Sequence, residues 1–230
     1  MLKENLKEVQ YNIEETCRAS GIDSKKVTLI AVSKTKPVEM LEEIYNEGIR
    51  DFGENKVQEL VDKYECMPKD IRWHLIGHLQ TNKVKYIVDK VYMIHGVDSL
   101  KLATEISKEA VKKNVTVRIL IQVNIAEEDT KFGIHALEAV DLITEIAKLP
   151  GIQIKGLMTI APYVEVSEQN RQYFHKMKQL SVDIIRKNID NVNMDCLSMG
   201  MTGDYRTAIE EGATYVRVGT AIFGERNYNK

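Results

Sequence analysis

Cysteine is scarce in this sequence, since only Cys17, Cys66 and Cys196 occur among its 230 residues. They are odd in number, far apart and in no CxxC pair, which argues against a disulfide framework and a cysteine zinc site. A chain of this length buries about 70% of its unfolded surface without such cross-links. We therefore expect reduced thiols in a cytoplasmic protein.

Strong charge and long apolar runs are also missing. The 32 Lys and Arg residues and 34 Asp and Glu residues give a net charge of −2, which argues against a general nucleic-acid binder. No apolar run approaches the roughly 18 residues of a membrane span, and the N-terminus lacks the apolar core of a signal peptide. We therefore expect no nucleic-acid partner and no membrane partner.

Apolar residues do recur every three or four positions at the start of the chain, with Lys and Glu between them. This spacing predicts an amphipathic helix over about residues 2–20, ended by Gly21. Its apolar face must pack on the rest of the protein. The face consists of Leu2, Leu6, Val9, Ile13 and Cys17.

Short apolar runs then alternate with segments of helical periodicity, without a linker of Pro, Gly or Ser. Eight such strands predict an α/β protein with one (β/α)₈ TIM barrel, forming a single domain over residues 1–230. A doubly wound sheet is the alternative, but SKTKP after the first strand lacks a Gly-rich turn. The predicted strands are 27–33, 50–52, 73–76, 92–94, 116–123, 153–158, 194–198 and 215–218. The predicted helices between them are 37–45, 56–66, 82–88, 99–112, 136–148, 168–187 and 204–211.

Two lysines stand just after the first predicted strand, where the residues of a barrel converge on one mouth. Lys34 and Lys36 are two residues apart and would share a face of a strand. Partial desolvation among apolar walls favours the free amine, so either lysine is a candidate Schiff-base nucleophile. Lys36 is favoured because Pro37 fixes the turn. The alternative is a pair of surface lysines.

The loops after strands seven and eight are the usual phosphate site of a barrel. Here they contain Ser198-Met-Gly-Met-Thr-Gly203 and Gly219-Thr220, whose small residues let backbone N–H groups approach an anion. Two ordinary loops are the alternative. Arg217, in the apolar strand YVRVG, needs a polar target, which is either a ligand or a structural ion pair. An amine, a phosphate cup and an inward arginine together predict a pocket for a phosphorylated carbonyl compound.

Other polar residues give weaker signals. The HLIGH segment has zinc-like spacing but lacks the glutamate of a zincin, and Gly77 interrupts it, so we expect no metal site. Asn55, after strand two, either contacts a ligand or caps the next helix. We place His78 and Asn82 at the mouth. We assign three further histidines to loops or helix surfaces: His95, His135 and His175.

Five segments resemble the signature stretches of the pyridoxal phosphate homeostasis protein family, known in bacteria as YggS and in animals as PROSC. The resemblance extends over about residues 29–226. It implies the barrel fold of the alanine racemase N-terminal domain and pyridoxal 5′-phosphate (PLP) as cofactor. The segments are AVSKTKP, FGENKVQE, WHLIGHLQTNK, GLMTIAP and LSMGMTGDYRTAIEEGATYVRVGTAIFGER.

The resemblance also implies roles for single residues. Lys36 matches the Schiff-base lysine that holds PLP as an aldimine, and Arg217 matches the residue that faces the pyridine nitrogen. Ser198, Gly219 and Thr220 match phosphate ligands, and we take Asn55 as a further cofactor contact. This chain departs from the family at two positions, with Thr202 in place of a serine and Lys56 in place of an aromatic or apolar residue; neither change opposes cofactor binding.

The arginine points to binding rather than turnover, because an unprotonated pyridine ring stabilises a carbanion poorly. Racemisation also needs bases on both faces of the substrate, and alanine racemase takes its second base from another domain. Since the sequence ends twelve residues after the last predicted strand, we expect that domain to be absent. We therefore expect no established catalytic residue.

The predicted function is PLP homeostasis by a monomeric carrier or reservoir, which delivers PLP to apo forms of PLP-dependent enzymes or scavenges it. A PLP-dependent amino-acid racemase is the first alternative, with Lys36 as one base and Tyr163, His78 or Tyr205 as the other. A class I Schiff-base aldolase acting on a phosphorylated sugar ranks lower.

Overall fold

The computed structural model describes residues 1–128 and 130–225, so Arg226, at the end of the last signature segment, lies outside the described residues. Eight parallel strands close into a barrel in chain order, with the eighth paired to the first. This confirms the predicted (β/α)₈ architecture. The strands are β1 (Thr28–Val32), β2 (Asp51–Glu54), β3 (Arg72–Leu75), β4 (Met93–Val97), β5 (Val117–Gln122), β6 (Ile152–Met158), β7 (Val192–Met201) and β8 (Tyr215–Val218).

The α-helices pack on the outside of the barrel. Their apolar faces meet the outward side chains of the strands, and this layer forms most of the hydrophobic core. They are α1 (Leu2–Ala19), α2 (Val38–Asn46), α3 (Val57–Cys66), α4 (Leu100–Lys112), α5 (Ala139–Ile146), α6 (Arg171–Arg186), α7 (Tyr205–Glu210) and α8 (Thr220–Phe223).

The N-terminal helix α1 packs against α7 and α8. Its buried face contains Leu6, Val9, Ile13 and Cys17, as their helical spacing requires. The side chain of Asn5 donates a hydrogen bond to the carbonyl oxygen of Ile222 at 3.1 Å. Helix α1 is therefore attached to the end of α8, next to the barrel mouth.

Several elements differ from the sequence prediction, and strand β4, for example, continues to Val97 beyond its predicted end at residue 94. The helix predicted at 82–88 is a 3₁₀-helix, Thr81–Tyr86, because this short segment offers too few residues for an α-helical ladder. Strand β7 continues to Met201, three residues beyond its predicted end. Helix α8 was not predicted, since four residues are too few to show a helical period.

Two expectations about cysteines and membrane spans can be compared with the structure. The three cysteines are unpaired, with Cys17 and Cys196 buried and Cys66 exposed. Among residues 1–128 and 130–225, no helix has both the length and the apolar character needed to cross a bilayer.

Candidate functional site

Lys36 lies in a tight turn at the C-terminal end of β1. The backbone N–H of Lys36 donates to the carbonyl oxygen of Ser33 at 3.0 Å, and Thr35 has a φ of 63°. A positive φ at the third position is typical of a type II turn. Because Lys34 and Lys36 lie in a turn and not in a strand, strand alternation does not set their directions, contrary to the sequence argument.

The Lys36 amine contacts the C-terminal end of α8, the helix that follows β8, and β8 is paired with β1. Its Nζ atom donates to the carbonyl oxygens of Phe223, Gly224 and Glu225, at distances of 3.0, 3.1 and 3.0 Å. The side chain is half-buried. The amine is therefore held at the C-terminal end of α8, whereas Gly219 and Thr220 of the predicted phosphate loop lie at the N-terminal end of this four-residue helix.

A buried cluster of charges supports this turn from below. Lys63 Nζ donates to the Ser33 carbonyl oxygen at 2.8 Å and to Glu54 and Glu59, both at 2.7 Å. The Ser33 hydroxyl donates to Glu54 at 2.6 Å, and the Thr35 N–H donates to Glu59 at 2.6 Å. Side chains of β2 and α3 thus fix the backbone that carries Lys36.

Glu54 is the unusual member of this cluster. Its Oε1 atom accepts from Ser33 and Lys63, whereas Oε2 is buried without a hydrogen-bond partner. Burial raises the pKa of Glu54 to about 7, although Lys63 acts in the opposite direction. A carboxyl group that exchanges its proton near neutral pH therefore lies directly under the Lys36 turn.

The two predicted phosphate loops lie next to each other. Thr202 Oγ1 lies 3.5 Å from the backbone nitrogen of Ala221, so the loop after β7 meets the first turn of α8. Gly219 precedes α8, and a Cβ atom there would lie 3.3 Å from Val32. At Gly203 an added Cβ would meet open space. The loops thus present small residues and the hydroxyls of Thr202 and Thr220 on one side of the mouth.

A cavity of about 420 Å³ adjoins these loops on the side of α1. Thr202, Gly203 and Ala221 form part of its lining, and Glu8 and Asn12 of α1 form another part. Its lining comes from α1, the segment before α6, and the loops after β7 and β8. The cavity therefore borders the predicted phosphate end of the site and not its amine end.

Arg217 lies inside the barrel with 4% of its surface exposed. It donates from Nη1 to the Ser198 hydroxyl at 2.6 Å and from Nη2 to the Thr159 carbonyl oxygen at 2.8 Å. Burial lowers the pKa of Arg217 to about 10, with Asp204 acting in the opposite direction. Ser198 itself lies within β7 and is buried, so its side chain meets Arg217 in the interior of the barrel.

His95 belongs to the same buried group as Ser198 and Arg217, a placement that the sequence analysis missed. The assignment to a loop or helix surface is wrong, because His95 is fully buried in the middle of β4. Its Nδ1 atom lies 2.9 Å from the Ser198 hydroxyl and its Nε2 atom lies 2.9 Å from Nδ1 of His74. A polar residue inside the apolar strand MIHGV is the same signal that identified Arg217, and it could have found His95.

The remaining predicted mouth residues are less tightly held. Asn55 is half-buried and does not cap α3, since Lys56 occupies the N-cap position. His78 is exposed and stacks on Phe132, with ring centroids 4.2 Å apart. Asn82 is exposed in the 3₁₀-helix after β3. All three follow β2 or β3 at the same end of the barrel as Lys36.

The candidates for a second base of a racemase lie in different surroundings. Tyr163 is 97% exposed in the segment between β6 and α6, and Tyr205 is buried in α7. His135 and His175 are exposed. Within the described part of the chain, no group of three or more His, Cys, Asp or Glu residues is arranged to hold a metal ion.

Comparison with solved structures agrees with this architecture. PipY of Synechococcus elongatus with PLP bound is 31% identical, with a TM-score of 0.83 over 97% of this chain and 100% of that chain. An unknown protein from Bifidobacterium adolescentis is 34% identical, with a TM-score of 0.92 over 96% and 94%. Alanine racemase of Clostridium difficile, at 16% identity, shares the fold; its TM-score is 0.75, over 99% of this chain and 57% of the racemase.

Sequence comparison gives the family directly. The family described as alanine racemase, N-terminal domain, matches residues 5–227. The pyridoxal phosphate homeostasis protein of Aquifex aeolicus is 45% identical over 98% of both chains. The protein of the same name from Escherichia coli K12 is 39% identical over 98% of this chain and 97% of its own. The chain therefore belongs to the pyridoxal phosphate homeostasis protein family, whose barrel is of the alanine racemase N-terminal type.

Proposed function

We propose that this protein binds PLP through Lys36 and acts as a carrier or reservoir in PLP homeostasis. The observation that carries the proposal is the position of the Lys36 amine at the C-terminal end of α8, the short helix that begins with the predicted phosphate residues Gly219 and Thr220. An amine and a phosphate-binding loop at one mouth suit a compound with an aldehyde and a phosphate. The names of the relatives and the PLP-bound PipY structure support the same cofactor.

The residues at the mouth fit the chemistry of each part of PLP. Bound PLP supplies an aldehyde that condenses with a primary amine, with loss of one water molecule. Lys36 provides the amine, and Arg217 provides a cation for the ring nitrogen. The hydroxyls of Thr202 and Thr220 and the N–H groups near Gly219 provide donors for the phosphate. The open space at Gly203 leaves room for it. We place Asn55 beside them as a further contact.

The Lys36 amine must leave its present partners before it reacts. Its three contacts are neutral backbone carbonyls after α8, so leaving them breaks no ion pair with a carboxylate. We propose that these carbonyls hold the side chain at the end of α8 while the protein has no cofactor. The cluster of Glu54, Glu59 and Lys63 keeps the supporting turn in place in both states.

Ser198 takes a different role from the one expected by family resemblance. Its hydroxyl meets Arg217 at 2.6 Å and His95 at 2.9 Å inside the barrel. We propose that this hydroxyl orients Arg217, and that the phosphate contacts come from Thr202, Gly219 and Thr220.

Arg217 also favours carriage over turnover. A guanidinium does not protonate the pyridine nitrogen in the way that a carboxylic acid does, so the ring remains a weak electron sink. A racemase would additionally need a second base near the substrate. Tyr163 is 97% exposed, the His78 ring is stacked on Phe132, and Tyr205 is buried in α7, so we assign none of the three as that second base. We therefore propose a monomeric cytoplasmic protein whose partners are apo forms of PLP-dependent enzymes.

The direct test is a PLP titration of the wild type and of two single variants. Lys36→Ala should lose the visible absorbance of the lysine adduct and bind PLP at least about tenfold more weakly, a loss of ~1.4 kcal/mol. Lys34→Ala is the matched control from the same turn and should keep the absorbance. An unchanged spectrum of Lys36→Ala would contradict the proposal.

The same samples separate the alternatives. A carrier should transfer PLP to an apo-enzyme faster than its PLP dissociates into solution, and should not racemise L-amino acids. Racemisation that disappears with Lys36→Ala would favour the racemase instead. A protein that borohydride modifies only in the presence of a phosphorylated sugar, and never with PLP, would favour the aldolase.

A further inference from the structure

A continuous line of buried polar groups crosses the barrel interior from β8 to β2. Arg217 meets Ser198 at 2.6 Å, Ser198 meets His95 at 2.9 Å, and His95 meets His74 at 2.9 Å. His74 then meets Asp51 at 2.9 Å. The line begins beside the site proposed for PLP and ends near the N-terminal end of the barrel. The proposed function uses Arg217 as the cofactor contact and Ser198 as its partner, and it leaves His95, His74 and Asp51 without a role.

The Asp51 end fixes the direction of the hydrogen bonds. Burial acts to raise the pKa of Asp51, but hydrogen bonds from Arg72 and His74 outweigh it and lower the pKa, so this group is an ionised acceptor. Nε2 of His74 must therefore donate to Asp51. Burial lowers the pKa of both histidines, most strongly for His95, so both rings are neutral.

A neutral histidine ring has one donor nitrogen and one acceptor nitrogen, so the hydrogen bond at one nitrogen determines the role of the other. Since Nε2 of His74 carries the hydrogen, its Nδ1 accepts from Nε2–H of His95. Nδ1 of His95 is then an acceptor as well, and the Ser198 hydroxyl must give it its only hydrogen. The Ser198 oxygen is left to accept from Arg217. Arginine is always a donor, so the direction that follows from Asp51 is the one that Arg217 also requires. Each side chain along the line then has a hydrogen-bond partner.

We propose that Ser198, His95 and His74 are positioning residues that hold the Arg217 guanidinium in one orientation toward the cofactor ring. The part of this inference that concerns the cofactor rests on the proposed function. The hydrogen-bond direction concerns only residues of the chain and can be tested separately. The arrangement also explains why two histidines and a serine occupy the interior of the barrel, where apolar side chains would fill the space without needing partners.

Protonation of either histidine would disrupt the line. An added proton on Nδ1 of His95 would face Ser198, whose oxygen would then accept twice while its own hydrogen lost its acceptor. The charged groups nearby are Arg217 on one side and the Asp51–Arg72 pair on the other, and the rings of Tyr92 and Tyr215 pack against His74. We therefore expect both histidines to take up a second proton only at a lower pH than a free histidine does.

The first experiment is ¹⁵N NMR of histidine in the protein without cofactor. We expect His74 and His95 to be neutral at neutral pH, each with its hydrogen on Nε2. Ser198→Ala removes one oxygen and adds no volume, and it should shift the Nδ1 signal of His95 but not that of His175. A hydrogen on Nδ1 of His95, or an unchanged His95 signal in Ser198→Ala, would overturn the proposed direction.

The second experiment measures PLP affinity against pH for Ser198→Ala, His95→Gln and the control His175→Gln. We expect about tenfold weaker binding for the first two, a steeper pH dependence of binding, and no change for the control. Wild-type affinity and pH profile in Ser198→Ala would overturn the positioning role. A wild type that forms no PLP adduct would instead contradict the proposed function, and the histidine signals would still decide the hydrogen-bond direction.

Discussion

At the scale of single residues, the site depends on buried polar groups that are costly to hold. Glu54 is fully buried, and its Oε2 atom has no hydrogen-bond partner. Its Oε1 atom forms an ion pair with Lys63 Nζ at 2.7 Å. Burial outweighs the ion pair, and the pKa of Glu54 is about 7. Replacement of such a group by a neutral isostere should change how stability depends on pH.

Glu54→Gln tests this at neutral pH. Between about pH 4.5 and 7 the folded wild type keeps a proton that the unfolded chain has lost, so its unfolding free energy falls as pH rises. We expect this loss to be roughly 1–3 kcal/mol and to be absent in Glu54→Gln. Urea unfolding at pH 5 and pH 8 measures it. An equal pH dependence in both proteins would show that Glu54 titrates in its ordinary range.

The sequence pointed to site candidates where a charged residue stands out from its neighbours along the chain. Lys36 precedes a proline at a strand end and Arg217 interrupts an apolar strand, so the sequence pointed to both as candidates. His95 interrupts apolar residues as Arg217 does, but it was missed because its strand was predicted to end at residue 94. Glu54 was missed because its role depends on its contact with Lys63 of the next helix. Spacing along one chain segment does not report such contacts.

At the scale of elements, the pairing of β6 with β7 determines where Ser198 stands. The register shifts between Ile154 and Gly156, and Gly156 has a φ of 151°. A Cβ atom there would lie 1.8 Å from the carbonyl oxygen of Cys196, so only glycine fits. Because strand lengths were read from apolar runs, neither this shift nor the extension of β7 to Met201 could be predicted.

Gly156→Ala should therefore destabilise the protein by at least about 3 kcal/mol, since the β6 and β7 backbones must separate. Thermal or urea unfolding of the variant measures this. Gly203→Ala is the matched control, because its Cβ would meet open space, and we expect a change within about 0.5 kcal/mol. Equal stabilities of the two variants would contradict the close approach of the strands.

At the scale of the whole molecule, the strand order followed from the alternation of strands and helices alone. Consecutive parallel strands joined by helices pair with their neighbours, and eight of them close into a barrel. The position of α1 could not be derived in this way, since an amphipathic stripe does not say which surface it covers. The structure places it on α7 and α8, beside the carbonyls that hold Lys36.

Leu6→Ala tests the contribution of α1 to the fold. Leu6 is 1% exposed in the layer between α1 and the rest of the protein, and its truncation should cost about 2–5 kcal/mol of unfolding free energy. Leu137→Ala, at a side chain that is 93% exposed, should change it by less than about 0.5 kcal/mol. A Leu6→Ala protein as stable as the wild type would mean that α1 packs elsewhere in solution.

The most direct measurement of the central claim is mass spectrometry of the PLP-loaded protein after borohydride reduction and digestion. Reduction converts the lysine adduct into a stable bond, so the modified residue can be identified. We predict modification of the peptide that contains Lys36, with Lys34 unmodified. An adduct confined to another lysine, or no adduct under conditions in which the wild type shows PLP absorbance, would contradict the account.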